Sequence, residues 1–511
     1  MIMKHWRLAG STALALILAN AASAEITPDE VWQSWQTLGA DQGQTITAKS
    51  TSHDGSSLVA EGVTIQMKDA ETSVEGVIDR VVFADQGDGT VAVTMSDSYP
   101  MTLTVTDTTD AAAPKPVTLK LTVTQPGLKV VASGTAAAPT YAFDAPEFGV
   151  KLDSLEGPGT ETMTAAGEVK FTGIKGSYAF AAGEGTAPMA LDSTFAAAGM
   201  TMDISGADSA AKSDFKAKVS VADLNGSTKG AFLDAAAMEN MNKALQEGFF
   251  TDSQFSYGKT SFEFGGTEDG KPTTISGEAA SGGVGFVLNK ETMGFKGNGG
   301  GVTMTVAGGD MPFPSVSVSY SEAAFDLGFP VAKSDAPQPF TFLARLVDLK
   351  LPDELLGMVD PTAQLPRDPA TLIVDSTGTV TLTTDLTDDA AMAALGDAPP
   401  GTLDSLDLKQ ILLKAAGAEL TGSGAMTFDN TDLETYGGMP APTGTIDLKL
   451  VGGNTLLDKI VALGFVTQDD AMGVRMMMSM FGKMVEGEPD TMTSTVEFKD
   501  KGINVNGQKI Q

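Results

Sequence analysis

Residues 117–123 read Val-Thr-Leu-Lys-Leu-Thr-Val, with an apolar side chain at every second position. The same period of two runs through 63–67, 91–95 and 101–105. Successive side chains of a strand point to opposite faces, so the pattern belongs to strands with one buried face and one wet face. Antiparallel sheets show that division, whereas parallel sheets bury both faces. Asp54-Gly55 and Asp88-Gly89 fall between such runs as hairpin turns. No helix long enough for a parallel crossover separates these runs, and a meander of short strands is expected. The predicted class is mainly β: extended, curved antiparallel sheet with a few short helices packed on it.

The texture continues through 168–181, 216–221, 262–264, 283–288, 302–306 and 315–320. The chain carries 57 glycines, which in strands mark bulges or close packing. Ala- and Pro-rich loops are expected at 107–116, 135–139 and 397–401. A short helix is expected over 28–38. Thr27 is its N-cap, Pro28 its first residue, and Glu30 completes a capping box. Trp32 and Trp35 share one face of it and read as a packing anchor rather than a ligand platform. Further helices are expected over 234–247, 353–358, 388–395, 406–416, 455–463 and 469–484. The segments 165–171 and 422–428 are alike, but too briefly to define a repeat.

The first 24 residues have the composition of an export signal. Lys4 and Arg7 precede an uncharged, mostly apolar run over 8–18, and Ala22-Ser23-Ala24 supplies the small-x-small cleavage pattern. The apolar run is shorter than the roughly 20 residues that a bilayer span needs. A mature chain beginning at Glu25 in the periplasm is expected, with a β-rich region over 25–250 and a second over 251–511. No later stretch approaches a membrane span. The formal charge of the whole chain is −32, and loss of Lys4 and Arg7 makes it more negative still. Such a surface repels nucleic acid and anionic headgroups.

The chain has no Cys and two His, of which only His53 follows the leader. Thiol nucleophiles, thiolate metal sites, lipoprotein acylation and multi-histidine zinc sites are excluded. Arginines after the leader number four: Arg80, Arg345, Arg367 and Arg475. Asp85-Gln86-Gly87-Asp88-Gly89-Thr90 suggests part of a calcium loop, but position twelve is Ser96 or Tyr99 where a Glu is needed, so it reads as an acidic turn. Gly258-Lys259-Thr260 lacks the first glycine of a phosphate-binding loop, Ser253 standing there. No Gly-x-Ser-x-Gly elbow is present, and Ser52-His53-Asp54 is a contiguous string, unlike triads built from distant segments. Met472, Met476, Met480 and Met484 step by four as a stripe. Packing on a sheet is the preferred reading; a soft groove for a lipid or partner, or a thioether copper site, are the others. No catalytic, cofactor-binding or metal-ligating residue is nominated.

Two stretches carry a family likeness. The first is LPDELLGMVDPTAQLPRDPATLIVD over 351–375. The second, over 417–510, contains GAELTGSGAMTFD, PTGTIDLKLVGG, LLDKIVALGFV and GINVNGQKI. With ITPDEVWQSW after the leader, these resemble the bacterial envelope family called domain of unknown function family 2125, and the closing part is similar to strand-rich AsmA-like envelope proteins. The resemblance implies a periplasmic protein with extended antiparallel sheet and supplies no activity. The function expected is non-enzymatic, with lipid or another apolar ligand bound on a curved sheet. Expected partners are lipid or another envelope protein, and no nucleic acid. The alternatives are a periplasmic hydrolase using paired carboxylates, an outer-membrane β-barrel and a calcium-dependent adhesion module. The three Trp and six Tyr weigh against the aromatic girdles of a barrel and the sugar platform of a glycosidase.

Overall fold

The computed structural model describes residues 25–41, 43–69, 71–107, 115–181, 189–233 and 237–510. The expected leader, most of the loop expected at 107–116, and the start of the helix expected at 234–247 lie outside them. The fold is mainly β and antiparallel, with few and short helices. It divides into two compact units. One takes in the described residues up to Gly283 together with Val306–Pro312, the other Val284–Thr305 and everything from Phe313 on.

The first unit opens with a helix, α1 (Pro28–Asp41). Its capping box forms as the residues dictate. The Thr27 amide donates to Glu30 Oε2 at 2.8 Å, and the Glu30 amide donates to Thr27 Oγ1 at 3.3 Å. Fourteen strands follow: β1 (Gln44–Asp54), β2 (Ser57–Lys68), β3 (Thr72–Asp85), β4 (Val91–Met95), β5 (Ser98–Asp107), β6 (Lys115–Thr124) and β7 (Lys129–Thr135), then β8 (Ala138–Glu156), β9 (Met163–Ala181), β10 (Met189–Asp208), β11 (Ser213–Phe232), β12 (Phe250–Tyr257), β13 (Thr260–Glu268) and β14 (Lys271–Ala279). Each pairs antiparallel with its neighbours. β3 pairs with β4 at one end and β5 at the other; β8 pairs with β7 and β6, and β11 with β12 and β13, in the same way. The segment expected as one helix over 234–247 contains a 3-10 turn (Ala237–Glu239) and a helix of six residues (Met241–Gln246).

The strands are longer than their sequence pattern suggests, reaching 20 residues in β10 and β11. The reason is a break in alternation at matched levels. Gly173 (φ +59°) interrupts β9 and Asp223 (φ +51°) interrupts β11. Across that line the apolar step changes from two to three: Phe148 to Ala145, Phe171 to Ile174, Met200 to Ala197, Val221 to Leu224. These side chains nevertheless meet in one cluster, so the apolar face is kept through the break. Glycine is needed at 173 on two counts. Its backbone is left-handed, and a Cβ there would lie 2.9 Å from the Ala198 methyl. Asp is among the few other residues that visit this conformation singly.

In the second unit the main antiparallel series runs Ser315–Pro330, Gln338–Leu349, Ala370–Leu382, Gly401–Ala415, Ala418–Asp429, Ala441–Val451, Thr491–Lys499 and Gly502–Val505. Helices Asp353–Val359, Asp389–Leu395, Gly453–Ala462 and Gln468–Phe481 lie in its connections. The helix expected over 406–416 is instead the strand Gly401–Ala415. Its register against the flanking strands shifts between Leu408 and Ile411, so apolar residues fall at 403, 406, 408 and 411–413 and imitate a helical spacing.

Candidate functional site

Direct cross-strand partners share a face. The registers therefore trace one apolar row across the first unit: Leu58, Phe83, Val93, Val130, Phe143, Gly176, Phe195, Gly226 and Phe255, on nine successive neighbours from β2 to β12. The opposite face carries charge. Lys218 pairs with Asp203 at 2.9 Å, Lys229 with Asp192 at 3.2 Å, and Arg80 with Glu61 at 3.4 Å. All six side chains are well exposed, so these pairs mark the wet face and add little stability.

The apolar row is covered at one end only. α1 lies over β1, β2 and β3 and sets Trp32 and Trp35 edge-on to Phe83, with ring centroids 5.8 and 5.2 Å away. Leu58, Phe83 and Val93 are sealed beneath it, and the tryptophan pair is the packing anchor that its spacing implied. Beyond Val130 the helix cover ends. There a pocket of about 250 Å³ opens, lined chiefly by Trp35, Leu38, Ile46, Tyr141, Tyr178 and Phe180. Tyr141 and Tyr178 are register partners with rings edge to face, 6.4 Å apart. The Tyr141 hydroxyl donates to Ser34 Oγ of α1 at 2.8 Å, which ties the pocket wall to the helix. Burial pushes the Tyr141 phenol up to about 12, with the Ser34 bond opposing the shift. Burial raises Tyr178 as well.

Past the pocket the same face holds a second buried cluster, Ala145, Ile174, Ala197 and Leu224, with Phe143 and Phe195 half-buried against it, and beyond that its rings are exposed. Phe255 is exposed at the end of the row, and so are Phe215 (52%) and Phe264 on flanking positions of the same face. Glycines sit directly opposite two of these rings, Gly226 opposite Phe255 and Gly206 opposite Phe215. Gly206 is the register partner of Phe215, whose ring occupies the space a Cβ at Gly206 would need. The second unit repeats the device in Leu346, Leu372, Leu413, Leu420, Leu450 and Met492. Leu372 and Leu413 are exposed.

The polar residues singled out in the sequence are not brought together. Asp85 and Asp88 spend their carboxylates on the turn itself, Asp85 accepting from the Gly87 amide and Asp88 from the Thr90 amide and hydroxyl. The Thr90 bonds hold Asp88 below the usual carboxylate range. His53 lies 3.0 Å from Asp29 of α1, both exposed. Lys259 sits between β12 and β13 and pairs with Glu278 at 3.0 Å. Among the described residues no group of three His, Asp or Glu is placed to hold a metal ion.

The methionine stripe differs from the preferred reading. The helix ends at Phe481, Met484 lies on the short strand Lys483–Met484, and Met472, Met476, Met480 and Met484 are all exposed. The packed side of this helix is Ala471, Val474 and Met478. The pocket residues Tyr141, Phe143, Tyr178 and Phe180 were not singled out in the sequence. Their signal was there in two aromatic pairs at i and i+2.

Within the 351–375 stretch, Asp360 is buried and organises its loop. Its carboxylate accepts from the Gln364 and Leu365 amides at 2.9 and 2.7 Å, with Arg367 3.4 Å away. Burial works to raise its pKa, but those amides and the arginine charge outweigh it and leave it below the ordinary value.

Fold and site together define a protein of extended antiparallel sheet with an incompletely covered apolar face. No helix among the described residues is long and apolar enough to cross a membrane. A family model described as "Uncharacterized protein conserved in bacteria (DUF2125)" matches residues 299–506, under half of the chain. That match includes both stretches of family likeness almost entirely. No curated protein and no solved structure matches.

Proposed function

We propose that the protein binds an apolar ligand, a lipid acyl chain or one like it, on the open part of the sheet in the first unit, and that it acts by binding rather than catalysis. The same reading places it outside the cytoplasm, on the strength of the leader. One observation carries it. The row that is sealed at Leu58, Phe83 and Val93 runs on without a break into the aromatic pocket and out to exposed Phe255. Contiguous exposed apolar surface on a soluble chain marks an interaction site. The pocket is slightly smaller than the roughly 300–1,000 Å³ usual for small-molecule sites. It is open along the row, which suits a chain-like ligand.

The test is native mass spectrometry of the purified protein for copurifying lipid, with titration of the apolar fluorophore N-phenyl-1-naphthylamine. Adducts of lipid mass are expected, together with probe binding that Phe180→Asp weakens at least tenfold. A chain free of lipid that also fails to bind the probe would refute the proposal.

A further inference from the structure

A second groove, of about 550 Å³, lies in the second unit and is lined by five methionines: Met472, Met476, Met478, Met484 and Met492. Two pairs of them are set by backbone geometry. Met472 and Met476 stand one turn apart on the helix Gln468–Phe481, with Cβ atoms roughly 6 Å apart. Met484 and Met492 are direct register partners across two strands, so their side chains share a face about 5 Å apart. Gly482 lies between the pairs. A Cβ at that position would sit 3.3 Å from Met492 Sδ and 2.7 Å from the Met478 carbonyl oxygen, so glycine leaves room at the sulfur.

Met472, Met476 and Met484 are 67%, 62% and 54% exposed, which argues against a packing role for those three, while Met492 is buried at the floor of the groove. The donor chemistry is also one-sided. No carboxylate and no imidazole lines the groove. Its one charged group, Arg475, is paired with Asp458. Calcium and magnesium need oxygen ligands, and zinc is held by thiolate, imidazole or carboxylate. Neutral thioethers suit a soft cation of low charge, Cu(I) among the biological metals. The chain has no cysteine to compete for it.

We propose that this groove is a Cu(I) site held by the thioethers of Met472, Met476, Met484 and Met492. The site stands apart from the aromatic pocket and does not depend on the apolar-ligand reading. The four side chains reach the groove from three elements, the helix Gln468–Phe481 and the strands Lys483–Met484 and Thr491–Lys499, on flexible thioether arms.

The test is anaerobic titration of the full chain with Cu(I) against the chromophoric chelator bathocuproine disulfonate, with metal count by native mass spectrometry. One Cu(I) per chain is expected. The double variants Met472→Leu/Met476→Leu and Met484→Leu/Met492→Leu should each weaken it at least tenfold. Leucine keeps the volume and apolarity of methionine, so both should fold, as read by circular dichroism. The control Met358→Leu/Met439→Leu removes two exposed methionines that do not line the groove and should leave affinity unchanged. No Cu(I) retained against the chelator would overturn the proposal. So would affinity unchanged in both groove variants, or lost equally in the control.

Discussion

Replacing Phe83 with alanine tests whether α1 is docked by its tryptophans. Phe83 is fully buried at the centre of the covered part of the row, with Trp32 and Trp35 both edge-on to its ring at interplanar angles of 60° and 72°. Truncating a buried phenylalanine costs about 3–5 kcal/mol in lost transfer energy and residual cavity. About 0.5–1.5 kcal/mol of that belongs to each aromatic pair. For a cooperative unit of 150–250 residues each kcal/mol moves the melting temperature by about 2–4 °C, so Phe83→Ala should lower it by roughly 6–20 °C. Trp32 and Trp35 are the only tryptophans after residue 24, so in a variant that begins at Glu25 their emission reports this helix alone. The expected result is a red-shifted emission that melts well before the far-ultraviolet dichroism of the strands. A melting temperature within about 2 °C of the parent, with emission unchanged, would mean that the helix is not seated on this ring.

Two other perturbations test the sheet and the pocket. Gly378→Ala places a Cβ against the Ser405 carbonyl oxygen and 2.5 Å from the Phe340 ring, so about 1–3 kcal/mol of overpacking should appear in a urea melt; a neutral effect would show that the ring does not lie over the glycine. Tyr141→Phe tests alkaline stability: the folded chain holds the phenol proton up to about 12 against an ordinary value of 10, so its contribution is complete below pH 10 and is lost as pH rises to about 12. Burial also raises Tyr178 and Tyr99, so the variant should flatten, without abolishing, the fall of melting temperature between pH 10 and 12; an identical fall would refute the assignment.

Local pattern was legible wherever it did not depend on the neighbouring strand. The runs at 63–67, 91–95, 101–105 and 117–123 all lie in strands, and 91–95 coincides with β4. The Asp54-Gly55 hairpin closes with Asp54 paired to Ser57. The capping box of α1 needs only four consecutive residues, and it forms. What failed needed information from elsewhere in the fold. Leu408 and Ile411 look helical because a register shift, which belongs to the pairing, changes their phase. Lengths of β9 to β11 were hidden because Gly173 and Asp223 break the alternation that marks a strand. The methionine stripe was misread because periodicity identifies a face without saying what meets it. The aromatic pocket was missed because Trp35, Tyr141 and Tyr178 come from three elements, and only the registers bring them to one place.

The open face in the first unit follows from a mismatch of lengths. α1 has 14 residues and is about 21 Å long, whereas strands are about 4.8 Å apart, so it spans at most about four inter-strand intervals. The sealed part of the row is indeed Leu58, Phe83, Val93 and Val130, on four successive neighbours. The remaining five positions have no helix of comparable length to cover them in that unit, where the only other described helix has six residues. Yet they stay apolar, as Phe143, Phe195 and Phe255 with Gly176 and Gly226 between them. A sheet that needed only solubility on this stretch would carry Thr or Lys there, as its other face does with Lys175, Thr194 and Asn225. Apolar rings maintained beyond the reach of the covering helix are the physical reason to look for a ligand on this face.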